Sequence, residues 1–306
     1  MSFNPLIEKI IAMKNPTVAG LDPKLDYVPQ YIKDKCFEQY GRTLEGAAEA
    51  LYEFNTALID ALCDVVPAVK PQMAYYEMYG WQGVRTFTRT VEYAHSKGMY
   101  VITDGKRNDI GATMEAYAAG HLGKTDVDGE QFAAFGADAL TVNGYLGTDG
   151  IDPLIKVCAA EDKGIFVLVK TSNKSSGELQ NLLLEGGESI YGRMASMCDE
   201  WGRELPGKYG FTGVGAVVGA TYPEQLTELR KEHPSIFFLV PGYGAQGGGA
   251  QGLAGAFNND GLGAVVNSSR AIMCAYKKEG CDESDFAGAA RREALRMKDD
   301  INGVLR

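Results

Sequence analysis

Positive charge is in short supply in this chain. Its 306 residues carry 30 Lys and Arg against 40 Asp and Glu, a net charge of −10 with histidine neutral. Such a balance argues against a nucleic-acid-binding or membrane-surface protein, while leaving room for a local basic pocket that takes a small anion. Long apolar runs are missing as well: none approaches the roughly 20 residues that a spanning helix needs. The N-terminal stretch lacks the basic region, apolar core and cleavage site of an export signal. It reads as an amphipathic helix stopped by Pro16, and a cytoplasmic location is expected. Histidine is scarce, and His95, His121 and His233 lie far from one another and from any cysteine, which argues against a zinc site. The six cysteines include no Cys-x-x-Cys pair, so reduced and mostly buried thiols are expected. No Gly-x-Gly-x-x-Gly follows the first apolar run, which counts against a dinucleotide-binding fold. No linker rich in Pro, Ser or charge divides the chain, so a single domain over 1–306 is expected.

What the chain does have is alternation. Eight short apolar runs, at 17–22, 65–70, 99–104, 137–143, 164–170, 213–218, 236–241 and 263–267, are separated by longer amphipathic segments. Leu44, Ala47, Leu51, Leu58 and Leu62 keep one helical face apolar, as do Val84, Phe87, Val91 and Ala94, and 285–305 closes the series as a helix. Nearly continuous apolar strands point to a parallel sheet covered by helices. Eight such units, in a chain above the roughly 250 residues typical of the fold, predict a (β/α)8 TIM barrel. Two connections are long, 23–43 and 171–189. They follow the first and fifth strands and so lie at the C-terminal face, where barrel enzymes keep their active sites.

The residues at those strand ends are chemically concentrated. The third run stops in Asp104-Gly105-Lys106-Arg107-Asn108-Asp109, and the spacing of Asp104 and Lys106 puts them on one face if the backbone stays extended. The first run ends in Asp22 and the second in Lys70, an expensive residue to bury without a carboxylate such as Asp104 beside it. The fourth ends in Asn143, and the fifth leads into Thr171-Ser172-Asn173. After the seventh comes Pro241-Gly242-Tyr243-Gly244-Ala245-Gln246, and after the eighth Asn267-Ser268-Ser269-Arg270. Glycine amides combined with an arginine after the last two strands have the make-up of a phosphate site.

With these residues the chain resembles the orotidine 5'-phosphate decarboxylases, in particular their longer, type 2 subfamily, over essentially its whole length. The most specific segment is Asp104 through Thr113, supported by Val69-Lys70-Pro71, Lys170-Thr171-Ser172-Asn173 and Val240-Pro241-Gly242. The resemblance implies a barrel dimer that converts orotidine 5'-phosphate to UMP and CO2 without metal or organic cofactor. Lys70, Asp104, Lys106 and Asp109 would form its charged array, with Lys106 as proton donor. Asp109 and Thr113 would reach into the partner subunit's site. Asp22 would hold the ribose hydroxyls and Ser172 the pyrimidine, while Gln246 and Arg270, next to Pro241, would hold the phosphate. Gly144 and Lys174 stand where proline is usual, which bears on the rigidity of two loops. Three other readings remain. A related barrel with Asp-x-Lys-x-x-Asp uses a Mg2+-stabilised enediolate and needs a further acidic ligand, but Lys70 stands at that strand end and would repel the metal. A phosphate-binding or regulatory barrel without activity is hard to reconcile with all four positions of the array being intact, and an assembly scaffold leaves the strand-end charges unexplained.

Overall fold

Period-two alternation sorts the side chains of each apolar run onto two faces, and both faces are buried. The computed structural model describes residues 3–244 and 250–305. Its strands are β1 (Thr17–Leu21), β2 (Ala68–Pro71), β3 (Tyr100–Arg107), β4 (Thr125–Val127), β5 (Glu130–Phe132), β6 (Ala139–Val142), β7 (Gly164–Lys170), β8 (Val214–Val218), β9 (Phe238–Pro241) and β10 (Ala264–Ser268). Eight of them close into a barrel in the order β1-β10-β9-β8-β7-β6-β3-β2, with every described pairing parallel. The predicted (β/α)8 barrel is therefore the fold. The second run begins later than expected because Val65 and Val66 still donate their amides to Leu62 O at the end of the preceding helix.

One face of each strand packs outward. Ala19, Val69, Val101, Leu140, Val167, Ala216, Phe238 and Val266 join the large cluster shared with the surrounding helices. The other face points inward, where Val18, Ala68, Ile102, Ala139, Phe166, Leu239 and Val265 meet. The N-terminal helix Asn4–Met13 is more than a surface amphipathic helix. Phe3, Leu6, Ile7 and Ile10 belong to the inner cluster, and the Phe3 ring lies 4.6 Å from that of Phe166 and 5.4 Å from that of Phe237. It plugs the barrel at the N-terminal ends of the strands and leaves the opposite end open.

Two segments depart from the expectation. The connection 23–43 carries its own helix, Gln30–Tyr40, and a turn, Leu25–Tyr27. Between 124 and 133 the chain forms the antiparallel hairpin β4–β5, which no apolar alternation announces because its strands are exposed throughout. Its local signal was Asp128-Gly129, both at positive φ (54° and 91°), the backbone that tight hairpins require. Among the described residues no helix is long and apolar enough to cross a membrane. All six cysteines are free, three buried and three half-buried.

Candidate active site

The inward positions continue past the apolar core to the open end. Residue 22 follows 18 and 20 in register, 70 follows 68, 104 follows 102, and 267 follows 265. The same alternation that builds the core therefore delivers Asp22, Lys70, Asp104 and Asn267 to the barrel mouth. Asp104 is the centre. One carboxylate oxygen, Oδ2, accepts from Lys70 Nζ at 2.5 Å. The other, Oδ1, accepts from Lys106 Nζ at 2.6 Å and from Thr141 Oγ1 at 2.8 Å. Burial alone would push this carboxyl up, but the two ammonium groups outweigh it and hold it well below the usual carboxylate range. Burial likewise draws Lys70 down, and Asp104 with Asp22 more than offsets it, so the ammonium is stabilised.

Lys106 reaches Asp104 by a route different from the one the spacing implied. The β3–β6 register shifts between Thr103 and Arg107, and Lys106 has φ 48°, in the left-handed region. The strand is bulged there rather than extended, at a cost of about 1–3 kcal/mol for a non-glycine residue. Thr141 holds the bulge: its hydroxyl accepts from the Lys106 amide at 3.1 Å while donating to Asp104. Sequence reading missed Thr141 by taking Asn143 as the end of the fourth strand. The signal was present, since 141 is the inward position after 139. Asn143 instead caps a turn by accepting from the Tyr145 amide.

Asp22, Lys70 and Asp104 line a cavity of about 880 Å³ together with Pro241, Gly242, Asn267, Ser269 and Arg270. Asp22, Lys70 and Asp104 come from the ends of the neighbouring strands β1, β2 and β3. Arg270, Lys24, Lys277 and Lys278 add positive charge to the lining, and the last three were not anticipated. Two backbone features shape this part. Gly242 has φ 101°, a conformation that disfavours any side chain. At Gly20 an added Cβ would lie 2.0 Å from Ser269 Oγ, so only glycine lets the segment before Arg270 approach β1. Asp22 Oδ1 and Asn267 Oδ1 are buried acceptors without a partner among the described residues, as a site built to receive hydroxyl or N–H groups would leave them.

The remaining expected residues divide. Ser172 is half-buried beside the cavity wall, 3.8 Å from the position of a Cβ on Gly242. Arg270 is exposed at the start of the short helix Arg270–Met273. Asp109 and Thr113 do not join the cavity: Asp109 Oδ1 accepts the amide of its own neighbour Ile110 at 2.9 Å, and Thr113 is exposed on the helix Gly111–His121. Gln246 lies outside the described residues. The three histidines are occupied elsewhere, His95 against Asp138, His121 as acceptor for Arg107 Nε, and His233 against Asp199.

Fold and site together define a (β/α)8 barrel whose strand ends enclose a charged cavity, acidic and basic by turns, of a size for a phosphorylated small molecule. The sequence narrows this class to one family. The family model for the orotidine 5'-phosphate decarboxylase / HUMPS family matches residues 44–280. A Rhodopirellula baltica protein named orotidine 5'-phosphate decarboxylase is 43% identical over 298 residues, covering 96% of each chain. A Caldicellulosiruptor bescii protein of the same name is 38% identical over 300 residues, 98% of this chain and 97% of its own. The solved structure of Leishmania donovani OMP decarboxylase superposes with a TM-score of 0.74 at 28% identity, covering 100% of this chain and 99% of that one. The chain belongs to the orotidine 5'-phosphate decarboxylase / HUMPS family.

Proposed function

We propose that this protein decarboxylates orotidine 5'-phosphate to UMP and CO2, a step of pyrimidine biosynthesis, without metal or organic cofactor. The observation that carries the reading is the Asp104 carboxylate clamped between Lys70 and Lys106 at the edge of a cavity that also holds Arg270. Breaking the bond from C6 to the carboxylate carbon releases CO2 and leaves an electron pair on C6, with no adjacent carbonyl to receive it. Lys106, about half exposed and tethered to Asp104, is the group placed to favour that charge and then give C6 its proton. A metal in this place would supply a positive charge beside a carboxylate; here two ammonium groups supply it.

One cation is not enough. A unit-charge contact at about 4 Å and an effective dielectric near 20 contributes about 4 kcal/mol, against roughly 20 kcal/mol or more for the most demanding enzymic reactions. Binding energy from the remote phosphate must make up part of the difference. We assign Arg270 and Gln246 to the phosphate, Asp22 to the ribose hydroxyls through the oxygen that has no partner among the described residues, and Ser172 to the pyrimidine, with Pro241 in the cavity wall. Asp109 would complete the array in the partner's site, with Thr113, in a two-fold dimer. Two features support that assignment: Asp109 has no ion pair among the described residues, and exposed Ile110 lies next to it. A single cytoplasmic domain acting as a homodimer follows from this reading.

The test is to mix purified protein with orotidine 5'-phosphate and EDTA and follow the loss of orotate absorbance. Full turnover in EDTA is expected. Activity that vanishes with EDTA and returns with Mg2+ would favour the enediolate chemistry instead, and binding without turnover would favour an inactive phosphate-binding barrel.

A further inference from the structure

A second lysine ends an apolar strand, and the chemistry proposed above does not use it. Lys170 closes β7 and is completely buried (0% exposed). No described carboxylate pairs with it. Its Nζ donates to Asn181 Oδ1 at 2.7 Å and to Ser176 Oγ at 3.3 Å. It also lies 4.6 Å from the centre of the Tyr222 ring and 5.5 Å from that of Tyr191. A buried ammonium without a counter-ion is costly, and two hydrogen-bond acceptors plus two aromatic faces are what offset the cost here.

These partners share one property: they lie on the segments that cover the end of β7. Ser176 and Asn181 belong to the connection 171–189, Tyr191 to the first turn of the helix Ile190–Gly202, and Tyr222 to the connection after β8. Ser176 Oγ is itself 3.4 Å from Tyr222 Oη, which ties two of the segments together. The start of the connection is clamped separately. The Thr171 amide donates to Gln180 Oε1 at 3.0 Å, and Gln180 Nε2 donates back to Thr171 Oγ1 at 2.7 Å. Ser172 then lies against Gly219, where an added Cβ would come within 2.8 Å of the Ser172 Cβ. The segment bearing Ser172 is thus held on the Lys170 ammonium below and the Gln180 amide beside it.

We propose that Lys170 is a positioning residue: it fastens the connection 171–189 over the end of β7 and so sets Ser172 at the rim of the cavity. The role of Ser172 toward the base rests on the function proposed above; the fastening rests on geometry alone. A compact ammonium suits the task because it has three donors for acceptors arriving from different segments, whereas a methionine of similar length has none.

Two measurements on Lys170→Met test this. Hydrogen exchange in the unliganded protein should speed up at amides 171–189 and stay unchanged in the barrel strands. Steady-state kinetics with orotidine 5'-phosphate should show KM raised about tenfold with kcat less affected, since misplacing a binding group by a fraction of an ångström costs that order. Placed in a Ser172→Ala background, the same substitution should cost less than about twofold, because the two act through one contact. Exposed Asn181→Ala, which removes one acceptor without touching the core, should reproduce the signature in weaker form and carries the test if Lys170→Met fails to fold. Unchanged exchange at 171–189 overturns the fastening. A kinetic cost equally large with and without Ser172 overturns the link to the site. Wild-type protein that does not turn over orotidine 5'-phosphate would refute the function while leaving the exchange result to decide the fastening.

Discussion

Lys70 and Lys170 end their strands in the same way, each closing an apolar run and each almost wholly inaccessible, yet they live in opposite environments. Around Lys70 stand Asp104 and Asp22, and burial is outweighed so that the ammonium is favoured. Around Lys170 stand an amide, a hydroxyl and two aromatic faces, and burial draws its pKa down. One lysine is held charged by carboxylates at the edge of an open cavity; the other is solvated by neutral dipoles beneath a covering segment. A buried lysine at a strand end is therefore not by itself a mark of chemistry. The groups that balance its charge, and whether they face a cavity, separate the lysine proposed to serve the chemistry from the one proposed to fasten a segment.

Replacing each lysine by methionine in turn separates the two environments most strongly. Lys70→Met leaves the buried Asp104 carboxylate with one ammonium instead of two, so turnover should be lost and stability should fall by about 3 kcal/mol. Lys170→Met removes a buried charge along with its hydrogen bonds, and should cost only about 1 kcal/mol while retaining turnover. Urea unfolding monitored by circular dichroism, alongside the decarboxylation assay, reads both. Equal losses in the two variants would mean that the carboxylates around Lys70 confer nothing special.

A third cation extends the contrast. Arg270 is exposed at the cavity and has no ion pair among the described residues, so its partner would be the ligand's phosphate. Arg270→Ala should lower kcat/KM by a factor corresponding to about 3 kcal/mol, and the loss should shrink with a substrate lacking the phosphate. An equal loss with the dephosphorylated nucleoside would take Arg270 out of the phosphate site.

His121 supplies an effect that appears only as pH falls, and the case of a buried base held neutral. Burial, with the neighbouring Arg107 guanidinium, lowers its pKa to about 3, against about 6.5 in an unfolded chain. Between those values the unfolded state takes up a proton that the folded state refuses. The contribution is intact above the unfolded value and drains away as pH falls toward the folded one, roughly 2 kcal/mol between pH 7 and pH 5. His121→Gln keeps an acceptor for Arg107 Nε but does not titrate, so its stability should decline less over that range. Parallel pH curves for the two proteins would refute this account of His121.

Much of this was legible before any coordinates. Eight nearly continuous apolar runs predict the barrel strands and put Asp22, Lys70, Asp104 and Asn267 at their ends, and in the structure period-two alternation carried past the core turns these four into the mouth. Thr141 obeyed the same rule and was passed over in favour of the more polar Asn143. Other features resist sequence reading for physical reasons. The left-handed backbone at Lys106 sits at a residue type that avoids it, and is held by Thr141 on a different strand. The partners of Lys170 come from three segments, so nothing local distinguishes it from Lys70. Gly144 makes sense only beside Met194, whose Sδ would lie 2.7 Å from an added Cβ.

In the proposed array, Lys70, Asp104 and Lys106 of one chain act with Asp109 of another. Mixing an Asp109→Ala protein with a Lys106→Ala protein, each inactive alone, and letting subunits exchange tests it directly. In a mixed dimer one site collects both defects and the other keeps wild-type Lys106 and Asp109. With random equal mixing about half the dimers are mixed, each with one good site, so activity should return to about a quarter of wild type per subunit. If mixed dimers form and no activity returns, Asp109 works within its own chain or not at all, and the shared array is wrong.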